Sequence, residues 1–180
     1  MHIKRLFIGT FIDKSQIESI YEKIREDFSS ACSGKWVELE NLHFTYQFLG
    51  DVQENQIPSI KKDLSEYLIT YHSKLKIAGL GTFPSPTKPR VLFVKVHNNE
   101  GILLSVHKKM DDILIHYGFE IENRKYTPHV TLRRIKQSNP NEFKKILEIY
   151  SQFEVGTMQN FEINLIESIL TPKGPIYKKI

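Results

Sequence analysis

Cysteine is nearly absent from this chain: Cys32 is the one cysteine among 180 residues. A single cysteine excludes an internal disulfide framework and fits a reducing compartment. The apolar residues form no run of the ~18 residues that a membrane-spanning helix needs. The N-terminal segment 1–11 has neither a long apolar stretch nor a small-residue cleavage site, so it is not typical of a secretion signal. These absences predict a cytoplasmic protein with no membrane partner.

Sequence patterns for two common kinds of site are also missing. The histidines outside the two motifs described below are His2, His72, His97, His107 and His116. They show no metal-ligand spacing, so we expect no metal ion and no other cofactor. The segment Gly79–Gly81 is the nearest approach to a glycine-rich phosphate loop, but it lacks the Lys-Ser/Thr pair that would follow.

The composition is that of an ordinary globular chain. Apolar residues make up 40% and charged residues 26%, which does not indicate disorder. The formal net charge is +4 and the sequence pI is about 9.0. This balance suits an anionic ligand, although it is too common to single out nucleic acid by itself.

Hydrophobic periodicity predicts helices that alternate with strands. The predicted helices cover Lys14–Cys32, Gln56–Tyr71, Glu100–Tyr117 and Asn139–Tyr150. The predicted strands cover Lys4–Phe11, Trp36–Leu49, Leu75–Thr82, Val91–Val96, Val130–Ile135, Phe161–Leu170 and Ile176–Ile180. Cys32 falls in the first helical pattern and is expected to be a packed thiol. No flexible linker separates the two halves, so a single domain over residues 1–180 is expected.

Two short segments repeat one pattern of histidine, apolar residue, threonine, apolar residue. They are His43–Tyr46 (HFTY), which lies within a predicted strand, and His129–Leu132 (HVTL), which opens onto the predicted strand Val130–Ile135. Because side chains alternate across a strand, the histidine and the threonine of each motif share one face. The opposite face is predicted to enter the core with these side chains: Phe44, Tyr46, Phe48, Val130 and Leu132.

Pairing of these two strands would bring two imidazoles and two hydroxyls into one cleft. An imidazole has an ordinary pKa near 6.5, so one ring can act as a base while the other acts as an acid at neutral pH. Hydroxyl groups and an arginine can hold the non-bridging oxygens of a phosphate. The pattern therefore predicts in-line attack on a phosphodiester. An isolated His-x-Thr would be close to chance, but two copies on two strands are not.

The chain resembles the two-histidine phosphoesterases, and among them the RNA 2',3'-cyclic phosphodiesterases, also called 2'-5' RNA ligases. The similarity is strongest in Trp36–Val52 (WVELENLHFTYQFLGDV) and Arg124–Arg134 (RKYTPHVTLRR). Further matches are Arg5–Gly9 (RLFIG), Phe83–Phe93 (FPSPTKPRVLF) and Ser168–Tyr177 (SILTPKGPIY). The resemblance therefore extends over nearly the whole chain. It favours an α+β fold with two pseudo-symmetric lobes, each an antiparallel sheet backed by helices, around a central active-site cleft.

The resemblance also implies roles for individual residues. His43 would donate a proton to the leaving 3' oxygen, and His129 would accept a proton from the attacking water. Thr45, Thr131 and Arg134 would bind the phosphate, and the product would be a 2'-phosphate end.

The arginine and two further candidates are less certain from the sequence. Strand alternation places Arg133, and not Arg134, on the face of His129, whereas the resemblance favours Arg134. A bulge after Leu132 would bring Arg134 round to that face. Arg124 and Tyr126 are candidate substrate-binding residues, with packing in a turn as the alternative for each.

The hypothesis for function is metal-independent hydrolysis of 2',3'-cyclic phosphates on RNA ends or nucleotides. No obligate protein partner is evident. Three alternatives stay open: action on 2'-5' linkages or small cyclic nucleotides, reversible ligation of 2'-5' ends, and a non-catalytic module that binds RNA ends.

Overall fold

Strands and helices alternate along the chain in a computed structural model, which describes residues 2–121 and 125–180. The helices are α1 (Glu18–Asp27), α2 (Ile57–Asp63), α3 (Ile102–Leu114) and α4 (Pro140–Ile149). The strands are β1 (Ile3–Phe11), β2 (Cys32–Trp36), β3 (His43–Gln53), β4 (Thr70–Tyr71), β5 (Leu75–Ser85), β6 (Lys88–His97), β7 (His129–Ser138), β8 (Glu154–Met158), β9 (Phe161–Glu162), β10 (Asn164–Thr171) and β11 (Gly174–Lys179). In the described part of the chain no helix is long and apolar enough to cross a membrane.

The ends of the helices follow from local chemistry. Asn139 caps α4, because its side chain accepts a hydrogen bond from the backbone N–H of Glu142, and Pro140 occupies the first turn, where its missing N–H costs nothing. Beyond α3, a short 3-10 turn ends at Gly118, which has a positive φ of 80°. Glycine adopts this left-handed conformation without steric cost.

The first predicted helix is too long, and this is a correction. Helix α1 ends at Asp27, and Cys32 begins strand β2 instead of ending a helix. β2 pairs with β7, and Gly34 faces Ile135 in that ladder. A Cβ on Gly34, whose φ is +142°, would lie 2.0 Å from the backbone oxygen of Arg134. Close strand pairing therefore overrides the helical pattern here.

Other differences lie at element ends and at sheet edges. α2 stops at Asp63, although the pattern predicts a helix that reaches Tyr71. Two short strands, β4 and β8, are missing from the sequence prediction. β8 pairs antiparallel with β5 at the edge of the main sheet, and an edge strand of five residues has too little periodicity to be recognised.

The main sheet has the strand order β11-β10-β1-β3-β7-β6-β5-β8, and β2 pairs with β7 beside this path. All of its pairings are antiparallel within the described residues. Along this path of eight strands, four lie on each side of the junction between β3 and β7, where Phe44 pairs with Val130. The antiparallel α+β fold expected from the sequence is therefore confirmed, while the single domain over residues 1–180 stays a prediction.

The helices pack on one face of this sheet and form the core with it. Helix α1 crosses to the second half of the sheet, since the Tyr21 hydroxyl donates to the backbone oxygen of Leu132 at 3.3 Å. Phe28, just beyond α1, contacts Phe143 of α4 with ring centroids 5.2 Å apart. Helix α3 packs in the opposite direction, against β3 of the first half. The opposite face of the central strands is left without a helical layer, and there the two motifs lie.

Candidate active site

The junction of β3 and β7 brings the two His-x-Thr motifs together. Phe44 and Val130 face each other there. Because the strands are antiparallel, His43 then lies opposite Thr131, and Thr45 lies opposite His129. Directly opposed residues have Cβ atoms about 4.5–5.5 Å apart, and diagonal neighbours lie about 7–8 Å apart. All four polar side chains are half-buried, whereas Phe44 and Val130 are fully buried beneath them. The sequence prediction that the motifs share one site is matched by this geometry.

Both imidazoles are held in the same way. Nδ1 of His43 lies 2.6 Å from the backbone oxygen of Asn41, and Nδ1 of His129 lies 2.7 Å from that of Thr127. A backbone oxygen can only accept, so each Nδ1 carries a proton and donates it. This fixes the ring orientation and leaves Nε2 of each ring for chemistry in the cleft.

Aromatic rings surround each imidazole. Phe7 and Tyr177 each lie 4.9 Å from His43 between ring centroids. Phe93 and Phe83 lie 5.1 Å and 5.2 Å from His129. These rings pack around the imidazoles, and both histidines stay partly exposed to the cleft.

The pKa of His43 is lowered from its ordinary value. Burial is the main cause, the hydrogen bond to Asn41 opposes it, and a positive charge on His129 lowers the pKa further. The last effect requires the two rings to be close. One imidazole therefore discourages protonation of the other.

A bulge in β7 decides which arginine faces the cleft. In the ladder with β6, Phe93 pairs with Thr131 but Leu92 pairs with Arg133, so Leu132 is the extra residue. Leu132 and Arg133 are consequently both buried, and Arg134 is exposed. The bulge brings Arg134 to the face of His129 and Thr131. In a regular strand, Arg133 would have pointed to that face.

Arg133 belongs to the opposite, helix-covered face and is only 7% exposed. Its Nη1 donates to the backbone oxygen of Phe28 at 3.3 Å and lies 3.4 Å from Sγ of Cys32. Its guanidinium carbon lies 4.7 Å from the centre of the Trp36 ring. These contacts fix the Arg133 side chain on the helix-covered face of the sheet, at the bulge, and keep it out of the cleft.

The same irregularity in β3 overturns one expectation for the core. Ile8 pairs with Gln47 but Gly9 pairs with Thr45, so Tyr46 is the extra residue. Gln47 then joins Tyr46 in the interior, and Phe48 turns outward. Phe48 is 70% exposed and its ring lies 6.1 Å from Phe7; the prediction that it enters the core was wrong.

Tyr126 has a structural position behind the cleft. Its hydroxyl donates to the backbone oxygen of Thr45 at 3.2 Å. Its ring stacks on His107 at 4.0 Å and lies 6.2 Å from Tyr46. These contacts place Tyr126 behind Thr45, and its contact with substrate stays a prediction. Arg124, the other candidate for substrate binding, lies outside the described residues.

Sequence reasoning missed the hairpin of β10 and β11 as part of the site. It carries Tyr177 to His43, and Nδ2 of Asn41 donates to the backbone oxygen of Pro175 at 3.2 Å. Burial raises the pKa of the Tyr177 hydroxyl, and the positive charges of Arg134 and Arg5 oppose that rise. The resemblance of Ser168–Tyr177 was the available signal, but sequence alone does not indicate that the C-terminal hairpin reaches the first motif.

The described residues gather no group of three or more His, Cys, Asp or Glu side chains that could hold a metal ion. The groups that meet in the cleft are instead two imidazoles, two hydroxyls and a guanidinium. This set can move protons and bind an anion.

Fold and site together define a class of enzyme, the phosphoesterases that act through paired histidines. The family model described as LigT like phosphoesterase matches residues 12–93 and 95–177, so each matched stretch contains one His-x-Thr motif. The chain belongs to the LigT-like phosphoesterase family, and the resemblance predicted from its motifs is confirmed.

Curated relatives match nearly the whole chain. A protein of Aquifex aeolicus named RNA 2',3'-cyclic phosphodiesterase is 36% identical, covering 98% of this chain and 95% of that protein. A protein of the same name from Methanocaldococcus jannaschii is 38% identical and covers 98% of both chains. The crystal structure of E. coli LigT complexed with 3'-AMP matches with a TM-score of 0.71 at 18% identity, over 99% of this chain and 96% of that one. That likeness supports the fold.

Proposed function

We propose that this chain is an RNA 2',3'-cyclic phosphodiesterase that opens the cyclic phosphate at an RNA end to leave a 2'-phosphate. The observation that carries the proposal is the matched pair of imidazoles at the junction of β3 and β7, each with Nδ1 bound to a backbone oxygen. The relatives that bear this activity in their names support the choice of substrate.

In the proposed reaction, Nε2 of neutral His129 takes a proton from water while the water oxygen attacks phosphorus. The bond between phosphorus and the 3' oxygen breaks, and Nε2–H of protonated His43 gives its proton to that oxygen. The products are a 2'-phosphate and a 3'-hydroxyl, and the pair of histidines ends with the same number of protons. Each positioned proton transfer contributes roughly 10² to 10⁴ in rate.

Thr45, Thr131 and Arg134 are proposed to hold the non-bridging phosphate oxygens. The hydroxyls of the two threonines have no hydrogen-bond partner among residues 2–121 and 125–180, so they are available to donate to an anion. Arg134 approaches the same face because of the bulge at Leu132. A charged donor to phosphate is worth more than a neutral one.

The chemistry selects RNA without reading its bases. A 2',3'-cyclic phosphate needs a 2' oxygen, which DNA lacks, and the proposed catalytic groups contact only the ring phosphate. We also propose that the reaction needs no metal ion, because two imidazoles supply the proton transfers and Arg134 supplies positive charge. The proposed location is the cytoplasm.

The decisive experiment is incubation of the protein with an oligoribonucleotide that ends in a 2',3'-cyclic phosphate, in the presence of EDTA. The expected product carries a 2'-phosphate, identified by its resistance to an enzyme that removes only 3'-phosphates. A 3'-phosphate product would contradict the assigned roles of His43 and His129. Hydrolysis that requires an added divalent ion would contradict metal independence, and binding without turnover would favour a non-catalytic module.

A further inference from the structure

One end of the cleft is lined by exposed cations that the proposed reaction does not use. We name them the basic track: Lys35, Lys88, Arg90, Lys136 and Lys173. All five are exposed. They come from β2, β6, β7 and the turn between β10 and β11, so the tertiary structure alone gathers them.

Contacts between these elements place Lys35, Arg90, Lys136 and Lys173 beside the proposed phosphate site. Lys88 lies two residues before Arg90, where β6 pairs with Ser85 at the hairpin turn. Lys35 pairs with Arg134 across the ladder of β2 and β7. Nη1 of Arg90 donates to the backbone oxygen of Lys136 at 3.3 Å. Nζ of Lys35 donates to the backbone oxygen of Lys173 at 2.9 Å. The track therefore begins at Arg134 and extends outward between the two hairpin turns.

The charges of the track are not neutralised by the protein. Within the described ranges, none of its five side chains forms an ion pair with a carboxylate. Some other exposed lysines form such pairs, for example Lys179 with Glu162 and Lys76 with Glu154 at 3.2 Å, whereas the described Lys61, Lys62 and Lys145 do not. Adjacent unpaired cations repel each other, and a bound polyanion relieves this repulsion while releasing its own counterions.

The internal repeat shows that the track belongs to one end of the cleft. Arg134 and Lys136 lie five and seven residues after the histidine of their motif, and the corresponding residues in β3 are Phe48 and Gly50. The two strands share the same bulge and the same burial pattern up to that point. At these two positions of the repeat, therefore, β7 carries cations and β3 does not.

We propose that the basic track binds the backbone phosphates of a single-stranded RNA upstream of its cyclic end. This inference rests on the proposed function and extends it to substrate class. At ~3.3 Å per strand residue, Lys136 lies about 16 Å along β7 from Thr131. A mononucleotide held at Thr131 does not extend that far, whereas an oligonucleotide does. The track consequently favours RNA ends over small cyclic nucleotides.

The test uses the triple variant Lys88→Gln, Lys136→Gln, Lys173→Gln, whose side chains make no hydrogen bond within the described protein. The matched control is Lys61→Gln, Lys62→Gln, Lys145→Gln, which removes the same charge from exposed positions on α2 and α4. kcat/KM is measured for a 2',3'-cyclic mononucleotide and for an oligoribonucleotide ending in a 2',3'-cyclic phosphate.

The track variant is expected to lose roughly tenfold in kcat/KM on the oligonucleotide and to keep its activity on the mononucleotide. The dependence of log KM on log salt should flatten by about 2, since each phosphate contact on a single strand contributes about 0.7. The control should behave as the wild type on both substrates.

An equal loss of kcat/KM on both substrates, or an equal loss in the control variant, would contradict the proposed role of the basic track. If the wild type hydrolyses neither substrate, the proposed function fails separately. The track is then judged by affinity for an uncleavable single-stranded oligoribonucleotide: tenfold weaker binding by the track variant supports it, and unchanged binding refutes it.

Discussion

Phe44 lies directly opposite Val130, and both side chains are fully buried where β3 and β7 pair. Each residue follows the histidine of its own motif, so the pair lies on the local twofold axis that relates the two motifs. An antiparallel pairing centred on these residues sets the histidine of each motif against the threonine of the other. The buried contact between Phe44 and Val130 thus brings the two histidines and two threonines of the repeat into one cluster.

Replacing either histidine by alanine should abolish most of the turnover. Because each proton transfer is assigned to one ring, His43→Ala and His129→Ala are each expected to lower kcat by roughly 10² to 10⁴. The matched control is His116→Ala, which alters an exposed histidine and should leave kcat and Tm unchanged. A histidine variant that retains half of the wild-type rate would show that its ring moves no proton.

The threonines should matter less than the histidines. Thr45→Val and Thr131→Val keep a β-branched side chain in the strand and remove one neutral hydrogen bond, which is worth about 1 kcal/mol. The expected fall in kcat/KM is therefore about fivefold for each variant. Losses as large as those of the histidine variants would mean that the hydroxyls take part in proton transfer.

The two neighbouring arginines should separate activity from stability. Arg134→Gln is expected to lower kcat/KM by roughly 10- to 100-fold, because it removes a charged donor to phosphate, and to leave Tm unchanged. Arg133→Ala is expected to lower the free energy of unfolding by about 1–3 kcal/mol, since it removes the contact with Trp36 and leaves a cavity. Thermal denaturation and steady-state kinetics of both variants test this division. If Arg133→Ala lowered kcat/KM and Arg134→Gln lowered the free energy of unfolding, the phosphate contact would be assigned to Arg133.

The pH profile of kcat/KM should be bell-shaped, with its acid limb below pH 6.5. The reaction needs one proton on the pair of imidazoles, and the rate falls when both rings are protonated. Burial lowers the pKa of His43 below its ordinary 6.5, and a charged His129 lowers it further. Double protonation is therefore delayed as the pH falls.

This profile is measured from about pH 4.5 to about pH 9 with a 2',3'-cyclic nucleotide, and its two limbs are assigned to the pair rather than to single rings. An acid limb above pH 6.5 would show that burial and a charged His129 do not oppose protonation of His43. The His116→Ala variant should reproduce the wild-type curve.

The sequence by itself determined the chemistry of the site and the class of the fold. Alternation along a strand is a local property, so the pairing of His43 with Thr45, and of His129 with Thr131, on one face could be deduced from their spacing. The helices of α3 and α4 were likewise predictable, because Asn139 and Gly118 act on their immediate neighbours.

Only the tertiary structure decided how those local elements combine. The bulges at Tyr46 and Leu132 arise from the register between strands that are distant in sequence. They direct Arg134 toward the cleft and turn the Phe48 side chain outward. Cys32 leaves the helical pattern because β2 finds a partner in β7. Tyr177 joins His43 because the C-terminal hairpin returns beside β1. Contacts between remote segments set each of these outcomes, and no periodicity within a single segment encodes them.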